Sequence, residues 1–246
     1  MTTKQPSNLQ NQKALVTGAT SGIGRAIALQ LARDGAEVVV HGRDATRGAE
    51  TVSEIVTAGG RARFVAADLG NPAEIRRLAR DAGDIDILVN NAGLALFGPT
   101  AALDVERFDA LFASNVRAPF YLVAAFAPGM VARGKGSIIN VGSMAGTVGL
   151  AGAAAYGATK AALASMTKAW AAEFSASGVR VNTVAPGPVH STASNQNIIE
   201  GLGKTTAVKR AAAPEEIAEV VAFLASPRSS YVTGATVAVD GGRTAI

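Results

Sequence analysis

The sequence predicts a single α/β domain, a doubly wound, seven-stranded parallel sheet with helices on both faces. Short, nearly continuous apolar runs rich in Val and Ile recur along the chain, the pattern of strands buried on both faces. Ala-rich stretches of helical length alternate with them, the βαβα order of a parallel sheet. No linker or low-complexity segment divides the 246 residues, so positions 1–246 read as one domain.

The strands are expected in "ALVTG" (14–18), "EVVVHG" (37–42), "ARFVAADL" (62–69), "DILVNNAG" (86–93), "GSIINVGS" (136–143), "VRVNTVAPG" (179–187) and "TVAVDGG" (236–242). Helices are expected over 22–33, 45–58, 72–82, 104–129, 154–176 and 214–225. Asp34-Gly35 supplies a glycine stop for the first helix. "NPAE" (71–74) and "APEE" (213–216) place proline at a helix start with acids in the first turn, and Pro227 closes the last helix. The stretch 189–208, rich in Ser, Thr, Asn and Gly, reads as a mobile excursion.

Composition removes several functional classes. Hydrophobic residues at 48% and charged residues at 17% describe a globular chain rather than a disordered one. Without cysteine, and with His41 and His190 as the two histidines, no metal site is expected. The net charge of +4 is scattered and aromatics amount to 5%, so no nucleic-acid partner is expected. The start lacks an apolar signal-peptide region, and no apolar run approaches the roughly 20 residues of a membrane span. A cytoplasmic protein without a membrane partner is the expectation.

After the first strand comes "TGATSGIGRAIA" (17–28), where Gly18, Gly22 and Gly24 bracket the passage from strand to helix. Glycine permits a tight turn and the close approach of a pyrophosphate, whose charge would sit at the positive end of the helix. The strand before, the helix after and a second strand completing the unit turn the pattern into a dinucleotide-binding hypothesis for a Rossmann fold.

"YGATK" (156–160) places Tyr156 and Lys160 four apart, on one face of a helix. Reducing a ketone takes a hydride and a proton, and a free tyrosine, with a pKa of about 10, is a sluggish proton source near neutrality. A nearby ammonium would stabilise the phenolate and lower that pKa. Ser143, at a strand end, can donate to a substrate oxygen as negative charge grows there.

The Gly-x-x-x-Gly-x-Gly spacing, "NNAG" (90–93), Asn115, Ser143, "YGATK" and "PGPV" (186–189), all in order between about Lys13 and Gly242, closely resemble the short-chain dehydrogenase/reductase family. The resemblance implies a catalytic set of Asn115, Ser143, Tyr156 and Lys160. In it Lys160 also binds the nicotinamide ribose, and Asn115 holds a water that relays protons. It further implies cofactor contacts from Gly18, Thr20, Ser21, Gly22, Ile23 and Gly24, from Asp68 and Leu69 beside the adenine, and from Asn91, Ala92 and Gly93. Pro186, Gly187, Val189 and Ser191 complete that set, with Val189 at the nicotinamide amide.

An NAD-preferring site usually ends its second strand on an acid for the ribose 2′-hydroxyl. Here that place reads "HGRD": Gly42 removes the acid and Arg43 follows, which suits the 2′-phosphate of NADPH better than NADH. The alternative is that Asp44 does the recognising.

Leu94, Leu96 and Phe97, with Met144, Ala145 and Leu150, are expected to wall a small apolar pocket, so the predicted substrate is a neutral ketone or its secondary alcohol. The alternatives are a 3-oxoacyl-carrier-protein reductase, an NAD-dependent alcohol dehydrogenase, and a regulator that binds nucleotide without catalysis. Carrier-protein reductases of this family usually dock through two arginines, and the matching positions here are Gly134 and Ser177. The resemblance also implies a homotetramer packed through the helix that starts near Asp104 and the helix through Tyr156.

Overall fold

The computed structural model describes residues 9–190 and 196–246. Seven strands, β1 (Lys13–Val16), β2 (Glu37–Gly42), β3 (Arg61–Ala66), β4 (Ile87–Asn90), β5 (Gly136–Val141), β6 (Val179–Pro186) and β7 (Thr236–Val239), form one sheet in the order β3-β2-β1-β4-β5-β6-β7. Every pairing is parallel. The order reverses between β1 and β4, and the crevice at the carboxyl ends of those strands is where a doubly wound sheet receives its ligand.

The helices are α1 (Gly22–Arg33), α2 (Ala45–Thr57), α3 (Pro72–Ala82), α4 (Val105–Phe112), α5 (Ala118–Ala132), α6 (Ala154–Phe174), α7 (Gln196–Gly203) and α8 (Pro214–Ala225). Their starts follow local chemistry. Asp44, Asn71 and Asp104 each accept a first-turn N–H with the side chain, and Glu216 accepts the N–H of Ala213 ahead of Pro214. Gly35, at φ +100°, closes α1.

The strand period of two divides the core. Ala14, Val16, Val38, Val40, Ile87 and Val89 pack under α1, α2 and α8, while Leu15, Val39, Leu88, Ile138 and Val181 pack under α3, α5 and α6. Leu15 and Leu88 are fully buried, and truncating either to alanine would cost about 2–5 kcal/mol.

The helix expected over 104–129 is interrupted. Between α4 and α5 lies a π-helical turn, Ala113–Arg117, which carries Asn115. Pro119 lacks the N–H that a regular helix would give the Asn115 carbonyl. Counted together, Val105–Ala132 is long enough for a membrane span and contains an 18-residue window with the mean hydropathy (1.3) of one, which reading the sequence for unbroken apolar runs did not register. Leu111, Leu122, Val123, Phe126 and Met130 on its inner side are buried on the sheet. The stretch 189–208 contains α7, which the sequence reading did not anticipate.

Candidate active site

The described site residues lie on the loops that follow β1 to β6, with Asn115 on the π turn and Tyr156 and Lys160 on α6. Gly18 and Gly22 take left-handed φ values of +65° and +51°, so the turn depends on glycine at both. A Cβ at Gly24 would overlap the Gly18 carbonyl and the Asn91 amide. Ser21 starts α1 without capping it through its side chain, which leaves the first N–H groups of the helix open to an anion. The cradle therefore fits a pyrophosphate. Thr20 and Ile23 flank it, and Ile23 packs on the core beneath.

Asn91 and Ala92 hold this turn from the β4 side. The Asn91 side chain donates to the carbonyls of Thr17 (2.8 Å) and Gly18 (3.2 Å). The Thr17 hydroxyl accepts the N–H groups of Asn91 and Ala92, both at 3.0 Å, and donates to the Val89 carbonyl. The sequence reading passed over Thr17, although a hydroxyl ending an apolar strand must find such partners. It also assigned no role to His41, which is buried in β2 and bonded through both ring nitrogens. Burial pushes its imidazole down to about 4.

At the end of β2, a Cβ on Gly42 would overlap the Thr20 methyl. The exposed Arg43 makes no hydrogen bond or ion pair with the described residues. Asp44 accepts from the backbone N–H of Arg47 (3.1 Å) and from its guanidinium (2.8 Å), and these bonds hold its carboxyl below the usual range. After β3, Asp68 is exposed and its carboxylate accepts the Gly70 N–H. The Leu69 side chain is buried in the core.

Ser143 follows β5 and its hydroxyl accepts the Ala145 N–H at 3.1 Å. On α6, the Lys160 ammonium donates to the Val141 carbonyl at 2.9 Å and lies 5.8 Å from the centre of the Tyr156 ring. Gly157 explains the small residues between them: a Cβ there would stand 2.6 Å from the Ala145 carbonyl oxygen, so the helix packs closely under the serine turn. Asn115 donates to the Leu94 carbonyl and to the Thr159 hydroxyl and accepts the Leu94 N–H, fixing the chain after β4 against α6. A Cβ at Gly93 would be 2.9 Å from the Asn115 side-chain oxygen and 3.6 Å from the Lys160 nitrogen. The four residues are thus brought together.

The electrostatics differ from expectation in one respect. Burial pushes the Tyr156 phenol above its ordinary value, partly opposed by the Ser143 hydroxyl. Burial likewise pushes Lys160 down to about 8. In this arrangement dehydration of both groups outweighs the tuning of Tyr156 by Lys160 that the spacing suggested.

Leu94, Leu96 and Leu150 are half-buried, and the Gly98 N–H donates to the Gly152 carbonyl at 2.9 Å, joining the two loops that carry them. The exposed Phe97 ring lies 5.3 Å from that of Tyr156. Met144 and Ala145, which follow Ser143, have buried side chains. Pro186 ends β6, Gly187 packs against Asp240, and Val189 bridges to Ala212. Ser191 lies outside the described residues. Among the described residues no cluster of metal-ligating side chains occurs.

Residues 18–244 match a family model described as Enoyl-(Acyl carrier protein) reductase. The chain is 39% identical to 2-(S)-hydroxypropyl-CoM dehydrogenase 3 of Xanthobacter autotrophicus, covering 98% of this chain and 99% of that one. It is also 39% identical to the 3-oxoacyl-[acyl-carrier-protein] reductase FabG of Vibrio cholerae, covering 96% and 98%. Among solved structures, a short chain dehydrogenase/reductase family protein superimposes with a TM-score of 0.93 at 51% identity, over 97% of this chain and all of that one. A blue fluorescent protein from a metagenomic library, in complex with NADPH, gives 0.91 at 37%, over 96% and 99%. With the parallel sheet, the glycine cradle and the Ser-Tyr-Lys arrangement, these similarities establish that the chain belongs to the short-chain dehydrogenase/reductase family.

Proposed function

We propose that this protein is an NADPH-dependent reductase that converts a neutral, apolar ketone to its secondary alcohol, reversibly, with Tyr156 as the general acid and base. The observation that carries the reading is the convergence of Ser143, Tyr156, Lys160 and Asn115 beside the glycine cradle. NADPH held there would supply the hydride. Ser143 donates a hydrogen bond to the carbonyl oxygen, and Tyr156 gives that oxygen its proton. Lys160 holds the ribose and passes a proton onward to the phenol. The Asn115 side chain is fully engaged, so its main-chain carbonyl, which Pro119 cannot cap, is the group left to hold a relay water.

Three features favour NADPH over NADH. Gly42 has no carboxylate and no room for one, Asp44 is engaged by Arg47, and Arg43 is free to pair with a 2′-phosphate. The NADPH complex of a solved relative supports the same reading.

Leu94, Leu96, Phe97 and Leu150 offer apolar walls without a charge, which suits a neutral ketone. The second reading, a carrier-protein reductase, is favoured by the likeness to the Vibrio cholerae enzyme. Against it, Arg133 is tied to Asp84 and the Ile85 carbonyl and Lys135 to Asp86, beside the glycine at 134 where a docking arginine would stand.

The reading includes a cytoplasmic single-domain subunit, residues 1–246, that assembles as a homotetramer. Val105, Phe108, Phe120 and Tyr121 form an exposed apolar series on the outer side of α4 and α5, suited to a second copy. A monomer in sedimentation would remove the tetramer.

The test is the steady-state consumption of NADPH and of NADH across neutral alkyl and aryl ketones, charged ketones and acyl thioesters. NADPH-dependent turnover of neutral ketones is expected. Preference for NADH, or for acidic ketones, would overturn the cofactor or the substrate part respectively.

A further inference from the structure

His41 is 2% exposed and follows the three buried valines of β2. Its Nδ1 accepts the Gly18 N–H at 3.2 Å, and its Nε2 lies 3.1 Å from the Ala67 carbonyl. A backbone N–H can only donate and a carbonyl can only accept, so the ring is the neutral form with its hydrogen on Nε2. The two partners belong to different loops. Gly18 opens the glycine turn after β1, and Ala67 immediately precedes Asp68 and Leu69 after β3. The main chain adds two ties at the same point: the Ala19 N–H donates to the His41 carbonyl at 2.8 Å and the Ala67 N–H to the Gly42 carbonyl at 3.2 Å. An apolar side chain at position 41 would strand the Gly18 N–H and the Ala67 carbonyl beside a ring-sized space without partners.

We propose that His41 is a positioning residue that locks the pyrophosphate turn after β1 to the adenine-side loop after β3, so that the two halves of NADPH meet a site already set at the right separation. The proposal rests on reading this crevice as the dinucleotide site. Preorganisation of this kind acts on affinity, because loops held in the bound geometry lose little freedom when the ligand arrives. It acts on the two halves through separate bonds.

Those bonds can be broken one at a time. Asparagine reaches as far as Nδ1, so His41→Asn keeps an acceptor for Gly18 and loses the bond to Ala67. Glutamine reaches as far as Nε2, so His41→Gln keeps a donor for Ala67 and loses the bond to Gly18. Calorimetric titration of full-length wild type and each variant with NADPH and with 2′-AMP, which carries the adenine half and no pyrophosphate, separates the two effects.

His41→Asn should weaken both ligands by about tenfold, and His41→Gln should weaken NADPH by about tenfold while leaving 2′-AMP within about twofold. Turnover at saturating NADPH should change by less than about threefold in each, placing the defect in KM rather than kcat. Each variant decides alone. Unchanged 2′-AMP affinity in His41→Asn, or equal losses or no loss for the two ligands in His41→Gln, overturns the proposal. Failure of the wild type to bind NADPH would instead overturn the dinucleotide reading beneath it.

Discussion

The Lys160 ammonium is bonded to the Val141 carbonyl at 2.9 Å, two residues ahead of Ser143, and is almost wholly removed from water. This bond ties the second turn of α6 to the end of β5 and holds a charge where hydration cannot help it.

Burial lowers the Lys160 pKa to about 8, against about 10.4 for an unfolded lysine. Between those values the unfolded chain binds more protons, so the stability of the wild type rises with pH across that interval. Below about 8 the folded protein carries the full cost of a dehydrated ammonium. Lys160→Met should therefore abolish turnover and yet melt higher than wild type at pH 7, with the difference shrinking by pH 10.5. Thermal denaturation at the two pH values checks this, and a variant less stable at pH 7 than at pH 10.5, relative to wild type, would contradict it.

The contact between Thr20 and Gly42 governs how cofactor choice can be changed. A Cβ at position 42 would overlap the Thr20 methyl, so Gly42→Asp alone should weaken NADPH and NADH alike. Removing the methyl as well, in Thr20→Ser/Gly42→Asp, should make room for the carboxylate and lower the KM for NADH below that for NADPH. Arg43→Ala should raise the KM for NADPH by about tenfold with little effect on NADH. Steady-state kinetics with both cofactors distinguishes these outcomes.

Phe97 leans on the Tyr156 ring at 5.3 Å and 55°, on the loop joined to the serine side by the Gly98–Gly152 bond. An aromatic contact of this kind contributes about 0.5–1.5 kcal/mol beyond area burial. Phe97→Ala should raise the KM for aryl ketones by about fivefold and change that for small alkyl ketones less. Equal effects on both would remove Phe97 from substrate selection.

Much of this was legible in the sequence. Continuous apolar runs such as "EVVVHG" and "GSIINV" marked β2 and β5 because burial on both faces leaves no polar alternation to confuse. Tyr156 and Lys160 were legible because four residues is one helical turn. The π turn at Asn115 was not, since an inserted residue in a helix leaves the apolar composition unchanged and the signal lay only in Pro119. The burial of the Leu69, Met144 and Ala145 side chains was not legible either, because a motif gives position along the chain and packing decides which way a side chain faces. His41 carried its own signal, a titratable group inside an apolar strand, which had to be either a costly defect or a paired group.

The most direct test of the account is the rate of NADPH oxidation by a neutral ketone, measured for wild type and Tyr156→Phe side by side with NADPH affinity. The phenylalanine variant keeps the packing against Phe97 and removes the proton donor. A fall in kcat of about a hundredfold or more with NADPH affinity retained is expected. A variant that turned over within about tenfold of wild type would show that the proton comes from elsewhere, and the assignment of Tyr156 would be wrong.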